Sequence, residues 1–112
     1  MKGKKILIIE DDPKSLYALK SVLEARGFDV AAVSTAEEAA TISCDGFAAA
    51  VIDIRLPTQQ GTDFARDLRT RHPHMRIIFV TAFHDDDALH ATLPGSILLI
   101  KPIEMDVLCQ LL

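Results

Sequence analysis

The chain has 112 residues, of which 49% are hydrophobic and 25% are charged, and its formal net charge is −4. These values are typical of one globular domain that is long enough to bury a core. The mild acidity argues against a nucleic-acid-binding surface, and no apolar run approaches the roughly 20 residues that span a bilayer. Two cysteines, Cys44 and Cys109, are too few for a disulfide framework and indicate a reduced, cytoplasmic protein.

The first strand and the first helix are predicted near the start of the chain. A run rich in isoleucine and leucine predicts a strand at Lys5–Ile9. Asp12 is a good helix N-cap, and Pro13 fits the first helical position, where a missing N–H costs nothing. Gly27 is expected to end this helix. Its buried face is marked by three leucines: Leu16, Leu19 and Leu23.

The next elements follow the same alternation of strand and helix. Asp29–Val33 predicts a second, weaker strand, and Ala48–Ile52 predicts a third. Between them, Thr35 and Glu38 have the spacing of a capping box, which predicts the start of a short alanine-rich helix.

The second half of the chain predicts two more strands and three helices. A helix through Phe64 and Leu68 precedes a fourth strand at Arg76–Val80. The last three predicted elements are a short helix around Asp86–Thr92, a strand at Ile97–Ile100 and a terminal helix from Glu104. Because this helical pattern runs to Leu112, we expect the natural protein, or at least its last helix, to continue beyond that residue.

Five strands, each followed by a helix, predict an α/β fold with a doubly wound parallel sheet. The strands are continuous apolar runs, as expected when helices cover both faces of the sheet. In such a sheet, functional groups gather at the carboxyl ends of the strands.

Polar side chains stand at these predicted strand ends. Glu10 and Asp11 follow the first strand, Asp53 follows the third, Thr81 ends the fourth and Lys101 follows the fifth. Like charges this close repel one another unless a cation joins them, and converging carboxylates suit a hard divalent ion such as Mg²⁺. An aspartate beside such an ion is a possible nucleophile toward a phosphoryl group, whose charge the ion and the lysine would neutralise.

With these residues in view, the whole chain resembles a receiver domain of two-component response regulators. The motifs that carry the resemblance are "ILIIEDDP", "VIDIRLPTQQG", "VTAF" and "IKP", in this order. The resemblance implies a flavodoxin-like (βα)5 fold with strand order 2-1-3-4-5. It also implies a signalling switch that takes a phosphoryl group from a histidine kinase or a histidine phosphotransfer protein. Such a domain modifies only itself and regulates a partner or an output domain after Leu112.

The resemblance assigns a role to each matching residue. Asp53 resembles the phosphoacceptor, and Thr81 and Lys101 resemble the switch hydroxyl and the phosphate-binding lysine. The implied Mg²⁺ ligands are Asp11 directly, Glu10 mainly through water, Asp53, and the backbone carbonyl of Arg55. The remaining matches are Pro102, which fits a lysine–proline step that is often cis, and the loop residues Pro57 and Gly61.

Two features depart from the family pattern. Leu98 stands where receivers usually carry a tyrosine or phenylalanine, three residues before the lysine. The stretch from Thr81 to Lys101 is also shorter than usual, which trims the fourth predicted helix. We expect phosphorylation to survive both changes, but not necessarily the common output or dimer face. A monomer or a weak homodimer is expected.

Three other functions are possible for this pattern. A phosphatase with an aspartyl nucleophile usually has a second aspartate two residues on, where this chain has Arg55, which cannot act as an acid. A flavin phosphate would be repelled by the acidic loop after the first strand. A receiver-like docking module that is not regulated by phosphorylation stays open as the alternative, supported by Leu98.

Some polar residues have a plainer interpretation. The run Asp85–Asp87 lacks the glycine and glutamate of a calcium loop and is interpreted as a helix start. His72 and His74 have a spacing that could hold a metal, but without companion ligands they are expected to be solvated. Asp12 is expected to cap its helix and not to bind the metal.

Overall fold

The computed structural model describes residues 3–56, 61–82 and 93–112, and five parallel strands form a single sheet. The strands are β1 (Lys5–Ile9), β2 (Asp29–Val33), β3 (Phe47–Asp53), β4 (Arg76–Thr81) and β5 (Ile97–Ile100). Their order in the sheet is β2-β1-β3-β4-β5, which confirms the expected doubly wound, flavodoxin-like topology.

The described helices are α1 (Pro13–Ala25), α2 (Ala36–Ala40), α3 (Gly61–Arg71) and α4 (Met105–Leu111). The helix predicted around Asp86–Thr92, the run Asp85–Asp87 and Pro57 lie outside the described residues.

Helices cover both faces of the sheet because the strand side chains alternate between two apolar clusters. Ile6 and Ile8 of β1 face one cluster, where Leu19 and Leu23 of α1 and Leu108 of α4 also pack. On the opposite face, the other cluster joins β1 and β3 to α3; its members include Leu7, Ile9, Ile52, Phe64 and Leu68. Burial of each such side chain contributes roughly 1.5–3 kcal/mol, so the apolar strand runs anchor the fold.

Local signals placed the helix starts correctly. The Asp12 carboxylate accepts hydrogen bonds from the Ser15 N–H at 3.2 Å and the Ser15 hydroxyl at 2.7 Å, with Pro13 at the first helical position. The Thr35 hydroxyl accepts from the Glu38 N–H at 3.0 Å, as in a capping box. Past the end of α1, Gly27 has φ of 93°, a left-handed conformation that favours glycine.

Two strands are longer than predicted. The ladder between β3 and β4 continues to the pair Asp53–Val80, and the ladder between β4 and β5 continues to Thr81–Ile100. Asp53 therefore ends its strand and does not follow it, whereas Thr81 ends the fourth strand as expected. The extension depends on pairing with the neighbouring strands, which cannot be predicted from the local sequence.

Candidate functional site

The polar residues predicted at the strand ends do converge at the carboxyl edge of the sheet. Asp53 and Thr81 end β3 and β4 and are 6% and 1% exposed. Glu10, directly after β1, is also 1% exposed. Lys101 comes directly after β5, and its side chain reaches back across this edge.

Three carboxylates form an acidic cluster at this edge. Glu10, Asp11 and Asp53 each offer an oxygen, and these oxygens lie within 4.8 Å of one another. Oxygen-only ligands with several negative charges are what Mg²⁺ prefers, so the donor set fits a hard divalent ion. In the part of the chain that the structure describes, no other group of three histidine, cysteine or acidic side chains is close enough to hold a metal.

Lys101 joins the cluster through two acids. Its ammonium donates to Glu10 Oε2 at 2.8 Å and to Asp53 Oδ2 at 3.4 Å. The Glu10 side chain is 1% exposed and the Lys101 side chain 29%, so the ion pair is largely removed from water. A pair in such surroundings interacts more strongly than a surface ion pair, and the loss of either partner leaves a poorly hydrated charge.

Burial and pairing change the proton affinity of both groups. Burial raises the pKa of Glu10 above its ordinary value, although the hydrogen bond from Lys101 opposes this, and the negative charge of Asp53 raises it further. Burial alone would lower the pKa of Lys101. The hydrogen bond to Glu10 and the charges of Asp53 and Glu10 outweigh that effect, so the pKa is raised and the amine stays charged near neutral pH.

A backbone hydrogen bond holds Oδ1 of Asp53. The Arg55 N–H donates to Asp53 Oδ1 at 3.0 Å, which leaves Oδ2 facing Lys101. Gly61, at the start of α3, donates its N–H to the Ile54 carbonyl at 2.8 Å. A Cβ at residue 61 would lie 2.1 Å from the Asp53 carbonyl oxygen, so only glycine fits there. Whether the Arg55 carbonyl binds a metal stays a prediction.

Backbone hydrogen bonds tie the other two site residues together. The Lys101 N–H donates to the Thr81 carbonyl at 2.8 Å, which extends the β4–β5 ladder to the lysine. The Lys101–Pro102 peptide bond is cis, as predicted. Leu98, on β5, is half-buried and packs against the apolar cluster that includes Phe79.

Asp12 and the two histidines lie outside the acidic cluster. Asp12 is exposed, and its pKa is lowered because the Ser15 hydroxyl and N–H donate to its carboxylate. His72 Nδ1 lies 3.9 Å from Asp45 Oδ1, and His74 is exposed. Asp12 caps α1 as expected, and the exposure of His74 matches the expectation, whereas His72 is half-buried.

The ion pair between Glu10 and Lys101 was not predicted. The sequence pattern assigned Glu10 to the metal and Lys101 to the phosphoryl group, and the two residues are 91 positions apart. The one signal in the sequence is the length of the Glu10 side chain, because glutamate reaches farther than aspartate would from the same position.

The chain is similar to known proteins over nearly its whole length. A family model for the response regulator receiver domain matches residues 6–112. The chain is similar to response regulator protein FleR from Pseudomonas aeruginosa, with 32% identity over 110 residues that cover 96% of this chain and 23% of FleR. It is also similar to sensor protein TorS from Escherichia coli K12, with 31% identity over 114 residues that cover 98% of this chain and 12% of TorS. The chain thus spans about a quarter or less of the length of these relatives.

Solved structures of the same kind share the fold. A response regulator receiver domain protein from Clostridium thermocellum superposes with a TM-score of 0.86 at 30% identity, covering 96% of this chain and 89% of that chain. A CheY-like receiver domain protein from Methanospirillum hungatei JF-1 gives a TM-score of 0.82 at 32% identity, covering 96% and 88% of the two chains. Among the described residues, no helix is both long enough and apolar enough to cross a membrane.

Proposed function

The chain belongs to the response regulator receiver domain family, and from this premise we propose that it is a switch in which Asp53 accepts a phosphoryl group from a phosphohistidine. The observation that carries the proposal is the ammonium of Lys101, held 3.4 Å from Asp53 Oδ2 inside the acidic cluster. It supplies positive charge beside the carboxylate that has to react.

In the proposed reaction, Asp53 Oδ2 attacks phosphorus as the nucleophile. The new P–O bond forms as the P–N bond to the donor imidazole breaks, and the leaving nitrogen keeps the electron pair and takes up a proton. The Lys101 ammonium stabilises the charge on the phosphoryl oxygens, and the Thr81 hydroxyl donates to one of them once the group is in place.

Mg²⁺ is the proposed cofactor because the donor set consists of carboxylate oxygens. Asp11, Asp53 and the Arg55 carbonyl would hold it directly, and Glu10 mainly through water. When bound, the ion supplies further positive charge to the transferring phosphoryl group.

The output step is proposed to run through Thr81. Its hydroxyl lies at the end of β4, and a bond to the phosphoryl group would bias a two-state equilibrium in the segment that follows β4. Leu98 stands where receivers usually carry an aromatic residue, so we propose that this chain transmits the change through the backbone near Thr81. A partner or an output domain after Leu112 would respond, and the domain itself would be a monomer or a weak homodimer.

A histidine kinase or a histidine phosphotransfer protein is the proposed donor, and the cytoplasm the proposed compartment. An apolar groove beside the site supports a protein donor: it starts at Lys101 and runs between α1 and the loop after β5, lined by Ala18, Leu19, Ile103 and Met105. The two cysteines are free thiols, as in a reducing compartment.

Turnover of external phosphoesters is not proposed. Arg55, two residues after Asp53, is always charged and cannot protonate a leaving group. The alternative is a docking module that phosphorylation does not regulate, and only Leu98 favours it.

The test is phosphorylation of the chain by acetyl phosphate with Mg²⁺, followed by intact mass measurement. We expect one acid-labile phosphoryl group on the wild type and none on Asp53→Asn. Asp63→Asn is the matched control, since Asp63 is an exposed aspartate on α3 that pairs with Arg66, and it should be labelled like the wild type. Label retained on Asp53→Asn contradicts the assignment, and no label on the wild type favours the docking module.

A further inference from the structure

We propose that Glu10 is chiefly a positioning residue for Lys101, which it holds beside Asp53, and only secondarily a contributor to the divalent cation site. This inference rests on the proposed function, in which Lys101 contacts the oxygens of a phosphoryl group on Asp53. It assigns Glu10 a different role from that of its neighbour Asp11.

The first support is that both oxygens of Glu10 are already engaged. Oε1 accepts the Asp12 N–H at 3.1 Å, and Oε2 accepts the Lys101 ammonium at 2.8 Å. The side chain is also 1% exposed, whereas Asp11 is exposed. Asp11 is therefore accessible to an incoming cation. In contrast, both oxygens of the Glu10 carboxylate already accept hydrogen bonds from protein donors.

The second support is how the two acids share one ammonium. Glu10 holds Lys101 at 2.8 Å and Asp53 holds it at 3.4 Å, so the amine stands nearer to the glutamate. Asp53 Oδ1 is bonded to the Arg55 N–H, which makes Oδ2 the oxygen that faces the lysine. If Glu10 lost its charge, Asp53 Oδ2 would be the charged acceptor left for Lys101 among these contacts. The ammonium would then close on the oxygen that has to attack phosphorus.

The third support is the reach of the Glu10 side chain. The pair joins the residue after β1 to the residue after β5, and β3 and β4 lie between those strands in the sheet. Aspartate is shorter by about one C–C bond, roughly 1.5 Å, so Glu10→Asp keeps the charge but loses the 2.8 Å contact. Glutamine keeps the length but is a weaker, uncharged acceptor.

Two measurements on the whole chain separate the roles of Glu10 and Asp11. Mg²⁺ affinity of the unphosphorylated protein is measured by calorimetric titration for the wild type, Glu10→Gln, Glu10→Asp and Asp11→Asn. We expect Asp11→Asn to weaken binding about tenfold or more, and each Glu10 variant to weaken it by no more than about threefold. Thermal unfolding of every variant identifies any that does not fold, and Glu10→Asp replaces Glu10→Gln in that case.

The rate of phosphoryl uptake from acetyl phosphate, at saturating Mg²⁺, is then measured in a double-mutant cycle with Lys101→Met. We expect Glu10→Gln to slow uptake about tenfold in the wild-type background, and by less than about twofold when Lys101 is already replaced. A structural role for Glu10 alone would slow both backgrounds alike.

The inference is overturned if Glu10→Gln weakens Mg²⁺ binding as much as Asp11→Asn, or if the effects of Glu10→Gln and Lys101→Met on uptake multiply. Its failure is distinct from failure of the proposed function. If the wild type takes up no phosphate, the proposed function fails, while the Mg²⁺ titrations still decide between the two roles of Glu10.

Discussion

The two ends of the sheet carry similar charged side chains in different surroundings. At the carboxyl end, Glu10, Asp53 and Lys101 crowd together with little access to water. At the amino end, Lys4 is exposed and donates to the Leu112 carbonyl at 3.0 Å, and the exposed Arg76 donates to the Leu111 carbonyl. Charges at the amino end are exposed to water, whereas those at the carboxyl end are largely buried and pair with one another.

Two glycines show the same contrast: Gly46 directly precedes β3, and Gly61, the first residue of α3, packs against the last residue of β3. Gly46 precedes β3 and has φ of 84°. A Cβ added at Gly46 would have no neighbouring atom within 4 Å. At the other end, a Cβ on Gly61 would lie 2.1 Å from the Asp53 carbonyl oxygen. One glycine serves backbone conformation, and the other lets a helix approach the site.

The largest effect is therefore expected for Gly61→Ala, which should lower the free energy of unfolding by about 3 kcal/mol or more because backbone atoms must move. Gly46→Ala is the matched control and should cost only about 1 kcal/mol of left-handed strain. Denaturant unfolding of both variants measures the two values. Equal losses would mean that the close approach at the carboxyl end is not a constraint.

The second prediction compares lysines at the two ends. Lys101→Met leaves Glu10 buried without its cation, so we expect a loss of about 2 kcal/mol in the free energy of unfolding. Lys4→Met removes a hydrated charge and should change this free energy by no more than about 0.5 kcal/mol. Chemical denaturation at neutral pH measures the free energy of unfolding of both variants. A Lys101→Met variant as stable as the wild type would contradict the claim that burial makes charges at the carboxyl end depend on their partners.

How much of this contrast was predictable depends on how local its causes are. The strand at Lys5–Ile9 and the Asp12 cap follow from neighbouring residues, so the sequence predicted them correctly. The convergence of the strand-end residues followed from the topology of a parallel sheet. The two contacts of Lys101, with Glu10 and with Asp53, depend on how far side chains reach across four strands. They cannot be predicted from a local sequence pattern.

The third prediction compares acids at the two ends in metal binding. Asp11→Asn should weaken Mg²⁺ affinity about tenfold, which corresponds to about 1.4 kcal/mol, because it removes an accessible charged ligand from the cluster. Asp29→Asn changes another exposed aspartate, at the start of β2, and should leave the affinity unaltered. Titration calorimetry of the two variants decides, and an equal change in both would place the ion away from the carboxyl end.

The smallest effect is expected at Asp12, two residues from Glu10 on the same loop. The pKa of Glu10 is raised mainly by burial, and that of the exposed Asp12 is lowered mainly by the Ser15 hydroxyl. A lowered folded-state pKa means that the charged carboxylate stabilises the fold above its ordinary pKa of 3.8, and that this stabilisation is lost as the pH falls through the lowered value.

Asp12→Asn keeps a capping side chain but removes the titration. We therefore expect the wild type to melt slightly above this variant near neutral pH, and the two melting temperatures to converge as the pH falls below 3.8. Thermal unfolding followed by circular dichroism across this range measures the difference. In a Ser15→Ala background, which lacks the hydroxyl that contacts Asp12 at 2.7 Å, the pH-dependent part of the difference should shrink. A difference in melting temperature that stays constant at every pH would mean that Asp12 stabilises the fold only as an N-cap and not through its charge. Of the two acids compared on this loop, only the buried Glu10 would then have a pKa that its folded surroundings shift.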